Sequence, residues 1–384
     1  MKEIIQFLDN LLDSSAPDKP MWNIEHVLEN KPPKWNYIDG CMIKAVMDMY
    51  HATGNNNYYT FAKTFIDYYL LPDGTIRGYT VEEHNCDNIN EAKVLFDLYH
   101  ITGEAKYKQA IELIYSQVKT QPRLSIGNFW HKKIYPNQIW LDGLYMVGPF
   151  YMAYDMAFGG KENYQDIFKQ FKNVHDLMKN PATGLYYHGY DETKSMFWAN
   201  PDTGMSQNHW TRSIGWFTMA LVDTIEKLDE QLFFERETLI GYFKDIMDAV
   251  LPYQDKATGL YYQVTNMGDK PGNYLETSGS CAIAYSFMKG SRLGYLPTDA
   301  YDKGKQIFDA VVKHKLVTQD GQFVLKDVCL VAGLGGMPGK GDYKERDGTF
   351  EYYISEPRVD NDAKGVAPFL FSYAETLWHD KGGN

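Results

Sequence analysis

Apolar residues recur along this chain at helical rather than strand spacing, and the helices they predict are of two alternating kinds. Segments opening at Asp39, Asp87, Asp142, Arg212, Ser278 and Gly365 are apolar nearly all round, as buried helices are. Segments opening at residues 2, 58, 104, 163, 239 and 300 carry Lys, Glu and Asp on one face, as exposed helices do. Each exposed segment leads through a Gly turn and a short strand-like stretch into a buried one, which stops at a Gly, as at Thr53-Gly54 and Thr102-Gly103. The first pair is separated by a Pro-rich passage, Asn30-Lys31-Pro32-Pro33. The pentapeptide TGLYY stands at 183–187 and again at 258–262, marking an internal repeat. The repeats lie roughly 50 to 90 residues apart, too irregular for an open solenoid of short units. Six buried helices inside six exposed ones predict an all-α fold, an (α/α)6 toroid formed as one domain by residues 1–384. Its inner helices would run parallel, so that their N-termini open at one mouth rimmed by short β-hairpins.

Candidate chemistry gathers in Trp130–Met146, WHKKIYPNQIWLDGLYM. Asp39, Asp87 and Asp142 each open a buried helix, and N-capping explains any one of them taken singly. The ring changes the weighing, because three caps at one mouth are also three carboxylates around one cavity, and paired carboxylates flank the bond in sugar hydrolysis. A helix N-terminus favours the ionised acid, whereas burial against Trp130, Trp140 and Tyr145 and a neighbouring acid favour the protonated one. Asp142 is expected to have a raised pKa for this reason, and Asp87, after His84-Asn85-Cys86, a more polar setting. His131, Lys132 and His188 belong to the same rim. Arg212 beside Trp210 offers a planar fork suited to a carboxylate, against the plainer alternative of an ion pair at a helix start. Trp198 reads as core, His209 equally as structural or functional, and Lys133 as a solvated neighbour. Gly333–Gly336, continuing into Met337-Pro338-Gly339, reads as a flexible loop able to form part of a lid.

Composition narrows the partners. With 30 Tyr, 20 Phe and 8 Trp in 384 residues, either an aromatic-lined groove or a Tyr-rich core is implied. A net charge of −12 without any Lys/Arg run argues against nucleic acid, yet leaves room for a small anionic ligand held by local cations. The four cysteines, Cys41, Cys86, Cys281 and Cys329, show no metal-binding spacing and read as reduced, buried thiols. The N-terminus lacks the basic start and apolar block of a secretory signal, and no apolar run is long enough to span a bilayer. A soluble, cytoplasmic protein is expected, with no membrane partner. No P-loop, GxGxxG, HExxH or acidic metal loop is present, so no cofactor and no metal are predicted.

WLDGLYM, followed by YYHGYD, HWTRSIGW, LETSGSCAIAY and KDVC, resembles the unsaturated rhamnogalacturonyl hydrolases of glycoside hydrolase family 105, from Trp35 to the final helix. The resemblance implies the same (α/α)6 fold and removal of a 4,5-unsaturated galacturonyl residue from the non-reducing end of rhamnogalacturonan oligosaccharides. It assigns the acid/base to Asp142 and a second essential carboxylate to Asp87. Substrate contacts would come from Tyr37, His131, Lys132, Trp140, Met146, His188, Trp210 and Arg212; Asp39 carries no role. The implied chemistry is hydration of an enol ether: a proton goes to C4, and water, deprotonated by Asp142 or Asp87, goes to C5. The alternatives are an unsaturated glucuronyl hydrolase acting on glycosaminoglycan fragments, a sugar 2-epimerase using His84, His131, His188 and His209, and a non-catalytic sugar-binding protein.

Overall fold

Helices that are apolar on every side can be buried only by other helices, and this chain resolves that demand as two concentric rings. The computed structural model describes residues 2–29, 32–336 and 345–382. In chain order the helices are α1 (Lys2–Asp13), α2 (Ile24–Glu29), α3 (Tyr37–Thr53), α4 (Asn56–Tyr69), α5 (Lys93–Thr102), α6 (Ala105–Thr120) and α7 (Leu141–Ala157). They continue as α8 (Tyr164–Met178), α9 (Thr211–Lys227), α10 (Phe233–Val250), α11 (Thr277–Arg292), α12 (Ala300–Lys315), α13 (Phe350–Ser355) and α14 (Ala363–Asp380). The inner ring runs α3, α5, α7, α9, α11, α14 and returns to α3, each helix packed on the next. Outside it lie α4, α6, α8, α10 and α12, and α1 meets α14 through the edge-on contact of Phe7 and Phe369. The chain is therefore the (α/α)6 toroid that the alternation predicts.

Neighbouring repeats are stitched at the mouth by one recurring backbone hydrogen bond. The first residues of the inner helices donate to the rim segment of the following repeat: Leu141 to His188, Thr211 to Gln263, Thr277 to Asp327 and Ala363 to Trp22. Cys86 does the same to His131, at the head of a 3-10 stretch (Cys86–Ala92) that precedes α5. The helix expected from Asp87 thus starts as a tighter coil. Its Asn88 carbonyl is taken by Trp35 Nε1 at 2.8 Å, and its Asn90 amide reaches the Tyr37 carbonyl.

Short strands reinforce the stitches. β1 (Gln138–Trp140) pairs antiparallel with β2 (Gly189–Asp191), joining the rim segments before α7 and α9. β3 (Tyr261–Tyr262) with β4 (Leu275–Glu276), β5 (Leu316–Gln319) with β6 (Gln322–Leu325), and β7 (Val328–Cys329) with β8 (Arg358–Val359) each close within one connection. The two TGLYY turns fold alike: Gly184 and Gly259 take positive φ, and each donates back to the carbonyl four residues before it.

The caps differ from expectation. Asn36 caps α3 and Asn85 caps the 3-10 stretch, while Trp140 stands before α7 with no side-chain cap. Asp39, Asp87 and Asp142 therefore lie inside their first turns, free of the capping role. Asp39 is buried and accepts from Trp22, Asn23 and Asn36, a structural knot that joins the first repeat to the ring.

At the far end of the axis the inner helices line a pocket with charged pairs, a feature hidden in their apolar average. Lys289 there contacts Asp223 at 2.8 Å and Glu226 at 3.1 Å.

Close approach at the mouth depends on glycine. A Cβ on Gly279 would stand 2.6 Å from Thr211 Cγ2 and 2.8 Å from the Thr211 carbonyl carbon. Gly241, on outer helix α10, would meet nothing within 4 Å. Gly279→Ala is expected to destabilise by about 1–3 kcal/mol through overpacking against backbone. Gly241→Ala should be neutral or stabilising by up to about 1 kcal/mol. Denaturant midpoints of the two variants against wild type would check the contrast.

Candidate active site

The stitch from Leu141 to His188 and the β1–β2 pairing set the first turn of α7 against the segment that carries His188. Asp142 follows Leu141 and makes no bond to backbone amides. Its Oδ2 is buried, 3.2 Å from His188 Nε2 but outside hydrogen-bond geometry, and neither atom has another partner. The side chain keeps 15% of its surface open. His188 is fully buried in an aromatic box: Trp210 lies 4.9 Å and Trp140 5.7 Å from its ring, and Nδ1 is 2.8 Å from the Tyr353 hydroxyl.

Electrostatics at Asp142 correct the sequence-based expectation. Burial does push its carboxyl upward, but His188, then His131 and Arg212, outweigh it and hold the group below the ordinary carboxylate range. Of the aromatics expected to shade it, Tyr145 faces away: its ring stacks on Trp216 at 4.9 Å, with the Lys93 ammonium over it at 3.4 Å. Of the groups that counter burial, His188 and Arg212 lie 46 and 70 residues beyond Asp142 in the chain, a proximity that local sequence does not reveal.

Asp87 is held differently. Lys132 Nζ lies 2.5 Å from its Oδ2, and His131 Nε2 lies 3.6 Å from Oδ1. His131 stacks on Trp140 at 4.6 Å, and burial pushes its pKa down to about 4, so the ring is neutral near pH 7. Its Nδ1 has no partner and faces Gly143, beside a small, mainly apolar pocket lined by Leu144, Val147 and Tyr151. Trp140 is clamped between His131 and Tyr135, with Trp198 and Leu334 packed around it.

Arg212, in the first turn of α9, is 2% exposed and stacks its guanidinium 4.5 Å from the Trp210 ring centre. Trp210 is itself pinned by Nε1 donating to Gln263 Oε1 at 3.0 Å. The guanidinium donates to the Cys329 carbonyl and at 3.4 Å to Ser278 Oγ, while Nε is unsatisfied. No carboxylate pairs with it among the described residues, so the simple ion pair considered from sequence is not what the structure contains. Lys364 shows the contrast, since it is neutralised by Glu25 at 2.7 Å and Asp362 at 3.2 Å. Tyr37, half-buried at the start of α3, has its hydroxyl pKa raised well above the usual value, first by burial and then by Glu25 and Asp87. These charges place it on the same mouth.

The remaining sequence candidates sort by position. Met146 lies one turn below Asp142, 1% exposed and packed in the core. Trp198 is core, as expected. His209 is buried and bound to the Tyr186 carbonyl and to Asn180, a structural pattern. His84 binds Thr120, and Lys133 is exposed. The Gly333–Gly336 segment is not loose: Leu334 is buried against Trp140, and Gly335 donates to the Arg346 carbonyl at 2.7 Å. Met337-Pro338-Gly339 and Asn30-Lys31 lie outside the described residues. Tyr353, Glu25 and Lys364 were missed. Only the Tyr352-Tyr353 pair offered a signal, and nothing local ties it to His188.

Among the described residues, no group of three His, Cys, Asp or Glu could hold a metal ion, and no helix is long and apolar enough to cross a membrane.

Comparison with known proteins matches this geometry to a family. Residues 16–378 match Glycosyl Hydrolase Family 88. The fold superposes on a family 105 glycoside hydrolase of C. acetobutylicum with a TM-score of 0.86 and 39% identity, covering 96% of this chain and 99% of that one. Protein Atu3128 of Agrobacterium fabrum is 38% identical over 234 residues, 60% of this chain and 97% of that protein. The unsaturated rhamnogalacturonyl hydrolase YesR of Bacillus subtilis is 27% identical over 270 residues, 67% of this chain and 72% of that protein. An (α/α)6 ring with a buried, uncapped carboxylate at its mouth, matched over nearly its whole length, belongs to Glycosyl Hydrolase Family 88, and this chain is accordingly a glycoside hydrolase.

Proposed function

We propose that this enzyme removes a 4,5-unsaturated galacturonyl residue from the non-reducing end of rhamnogalacturonan oligosaccharides, by protonation and hydration of the C4=C5 enol ether. The observation that carries the reading is the state of Asp142: buried on one oxygen, open on its other side, and relieved of any capping bond. A purely structural carboxylate in a first turn would have its oxygens taken by donors, as Asp39 does by accepting from Trp22, Asn23 and Asn36. The likeness to YesR favours the galacturonyl-rhamnose substrate over a glycosaminoglycan fragment.

In this mechanism the uronate carboxylate docks against Arg212, whose unpaired guanidinium has an unsatisfied Nε. Protonated Asp142 delivers its proton to C4, and the positive charge that develops is shared between C5 and the ring oxygen. A water attacks C5 and gives up a proton to the Asp142 carboxylate, restoring the acid. The hemiketal at C5 then opens, and the sugar linked at C1 departs as a free alcohol. Asp87, tied to Lys132, holds the far side of the site, and Trp140 and Trp210 form walls that exclude water from the alkene. Tyr37, His131 and His188 complete the set that would surround the substrate, while Met146, packed in the core, supports the helix turn beneath Asp142. Four buried, unpaired cysteines fit a reducing cytoplasm, where we place the reaction.

Substrate choice is tested by comparing turnover of unsaturated galacturonyl-rhamnose and unsaturated chondroitin disaccharides, followed as loss of the alkene's ultraviolet absorbance. Faster consumption of the first is expected, and preference for the second would move the enzyme to the glucuronyl class. Asp142→Asn should lower kcat on the preferred substrate by about a hundred- to ten-thousand-fold, the usual worth of a positioned acid. Retained activity in that variant would point instead to histidine chemistry. Arg212→Lys should raise KM about ten- to a hundred-fold, because the planar charged hydrogen bonds to a carboxylate are lost.

The pH profile follows from the lowered pKa of Asp142. Only the protonated form donates, so activity falls as pH rises through that pKa. A bound uronate cancels the pull of Arg212 and displaces water, and both changes favour the neutral acid. The alkaline limb of kcat, which reports the complex, should therefore lie at higher pH than that of kcat/KM, which reports the free enzyme. Initial rates from acid to alkaline pH would show it, and coincident or reversed limbs would count against proton donation by Asp142.

A further inference from the structure

Tyr353 occupies a place that the mechanism leaves unused. It is fully buried, and the one partner of its hydroxyl among the described residues is His188 Nδ1, at 2.8 Å. A phenolic O–H is a donor that a buried site must satisfy, at a cost of about 1–3 kcal/mol if it does not. If Nδ1 carried the imidazole proton, it would donate to the Tyr353 oxygen and leave the phenol hydrogen with nothing to bind. The phenol must therefore donate and Nδ1 accept, which places the proton of neutral His188 on Nε2. That N–H lies beside Asp142 Oδ2, with Nε2 3.2 Å from the oxygen but outside hydrogen-bond geometry.

We infer that Tyr353 is a positioning residue: by donating to His188 Nδ1 it fixes the Nε2–H tautomer, sets the positive end of that N–H beside Asp142 Oδ2, and leaves Oδ1 as the oxygen that carries the transferable proton. Exposure agrees with this division. Oδ2 is buried while 15% of the side chain remains open, so the open face belongs to the Oδ1 side, toward the mouth. A proton on Oδ1 can reach an alkene in the cavity; one on Oδ2 would be held between the carboxyl and the imidazole. The inference rests on the proposed reaction for its catalytic meaning, while the tautomer itself does not.

Titratable and charged groups facing this relay come from segments all around the mouth. Asp142 sees His188, His131 and Arg212. His131 in turn sees Asp87 and Lys132. Tyr353 sees Asp142, Cys329 and Asp347, and burial, then these neighbours, keep its hydroxyl protonated. Of these groups, Tyr353 alone touches Nδ1, so its removal changes the tautomer preference without adding or removing a charge.

Two measurements test the relay. The first is 15N NMR of histidine-labelled wild-type enzyme near pH 8, with the His188 signals assigned by their loss in His188→Gln. A protonated Nε2 and a bare Nδ1 are expected, and the opposite pattern would overturn the inference whatever the substrate proves to be. The second is the pH profile of Tyr353→Phe. Without the phenol the ring is free to present a bare Nε2, which accepts from a proton on Oδ2. The alkaline limb of kcat/KM should then move up by about half to one pH unit, the worth of one hydrogen bond, while the plateau kcat falls. A folded variant with an unmoved limb would refute the positioning role, since loosened packing alone lowers rate without displacing a pKa. Inactivity of wild type on unsaturated uronides, with the NMR pattern as expected, would sink the proposed function and leave the tautomer standing.

Discussion

The mouth of this enzyme is held by a ring of backbone hydrogen bonds between repeats, and the rest of the structure hangs from them. Each begins at the head of an inner helix and ends on the rim segment of the next repeat, as from Leu141 to His188 or Thr211 to Gln263. Helix starts carry amides with no partner inside the helix, so some outside acceptor is obligatory. Here the acceptor is the neighbouring repeat, and one bond both satisfies a helix and registers two repeats against each other. The residue beside each stitch is then fixed in space, and Asp142 and Arg212 are two such residues.

That placement explains how a carboxylate in the first turn of a helix escapes duty as a cap. With the Leu141 amide bonded to His188 and Trp140 fixed in a strand, α7 has no need of its Asp. Freed from the backbone, the side chain answers to distant groups: His188 from one rim segment, His131 from another and Arg212 from α9. The aromatic walls play a second part, excluding water so that the charge of Arg212 and the imidazole dipoles act with little screening. The site thus contains an acid whose proton affinity is tuned by partners rather than by solvent. A substrate carboxylate can retune it on arrival.

Much of this was legible in the chain. The alternation of all-apolar and one-faced helices, with the TGLYY repeat, led to the toroid, because burial on every side leaves few architectures. Asp142, Trp140, Trp210 and Arg212 stood out because their motifs crowd charge and aromatic surface at helix starts. The direction of the Asp142 shift was not legible, since it depends on a histidine brought near by strand pairing. Tyr353 was equally hidden, being 165 residues from the imidazole it binds. The charged cavity at the far end of the axis escaped notice because its lysines and acids are diluted by apolar neighbours within each helix. Periodicity reports which face is buried, and says nothing of what a buried charge will meet.

The last stitch joins Ala363 to Trp22 and turns a string of repeats into a hoop. An open array could grow or shed units at its ends and keep each remaining site intact. A hoop has no spare end: its catalytic mouth is whole only once the final inner helix has docked beside the first. During synthesis the polypeptide must therefore carry the early part of its catalytic rim unfinished until the closing segment emerges. Inserting or deleting one hairpin would change the circumference and, with it, the distance across which acid and arginine cooperate.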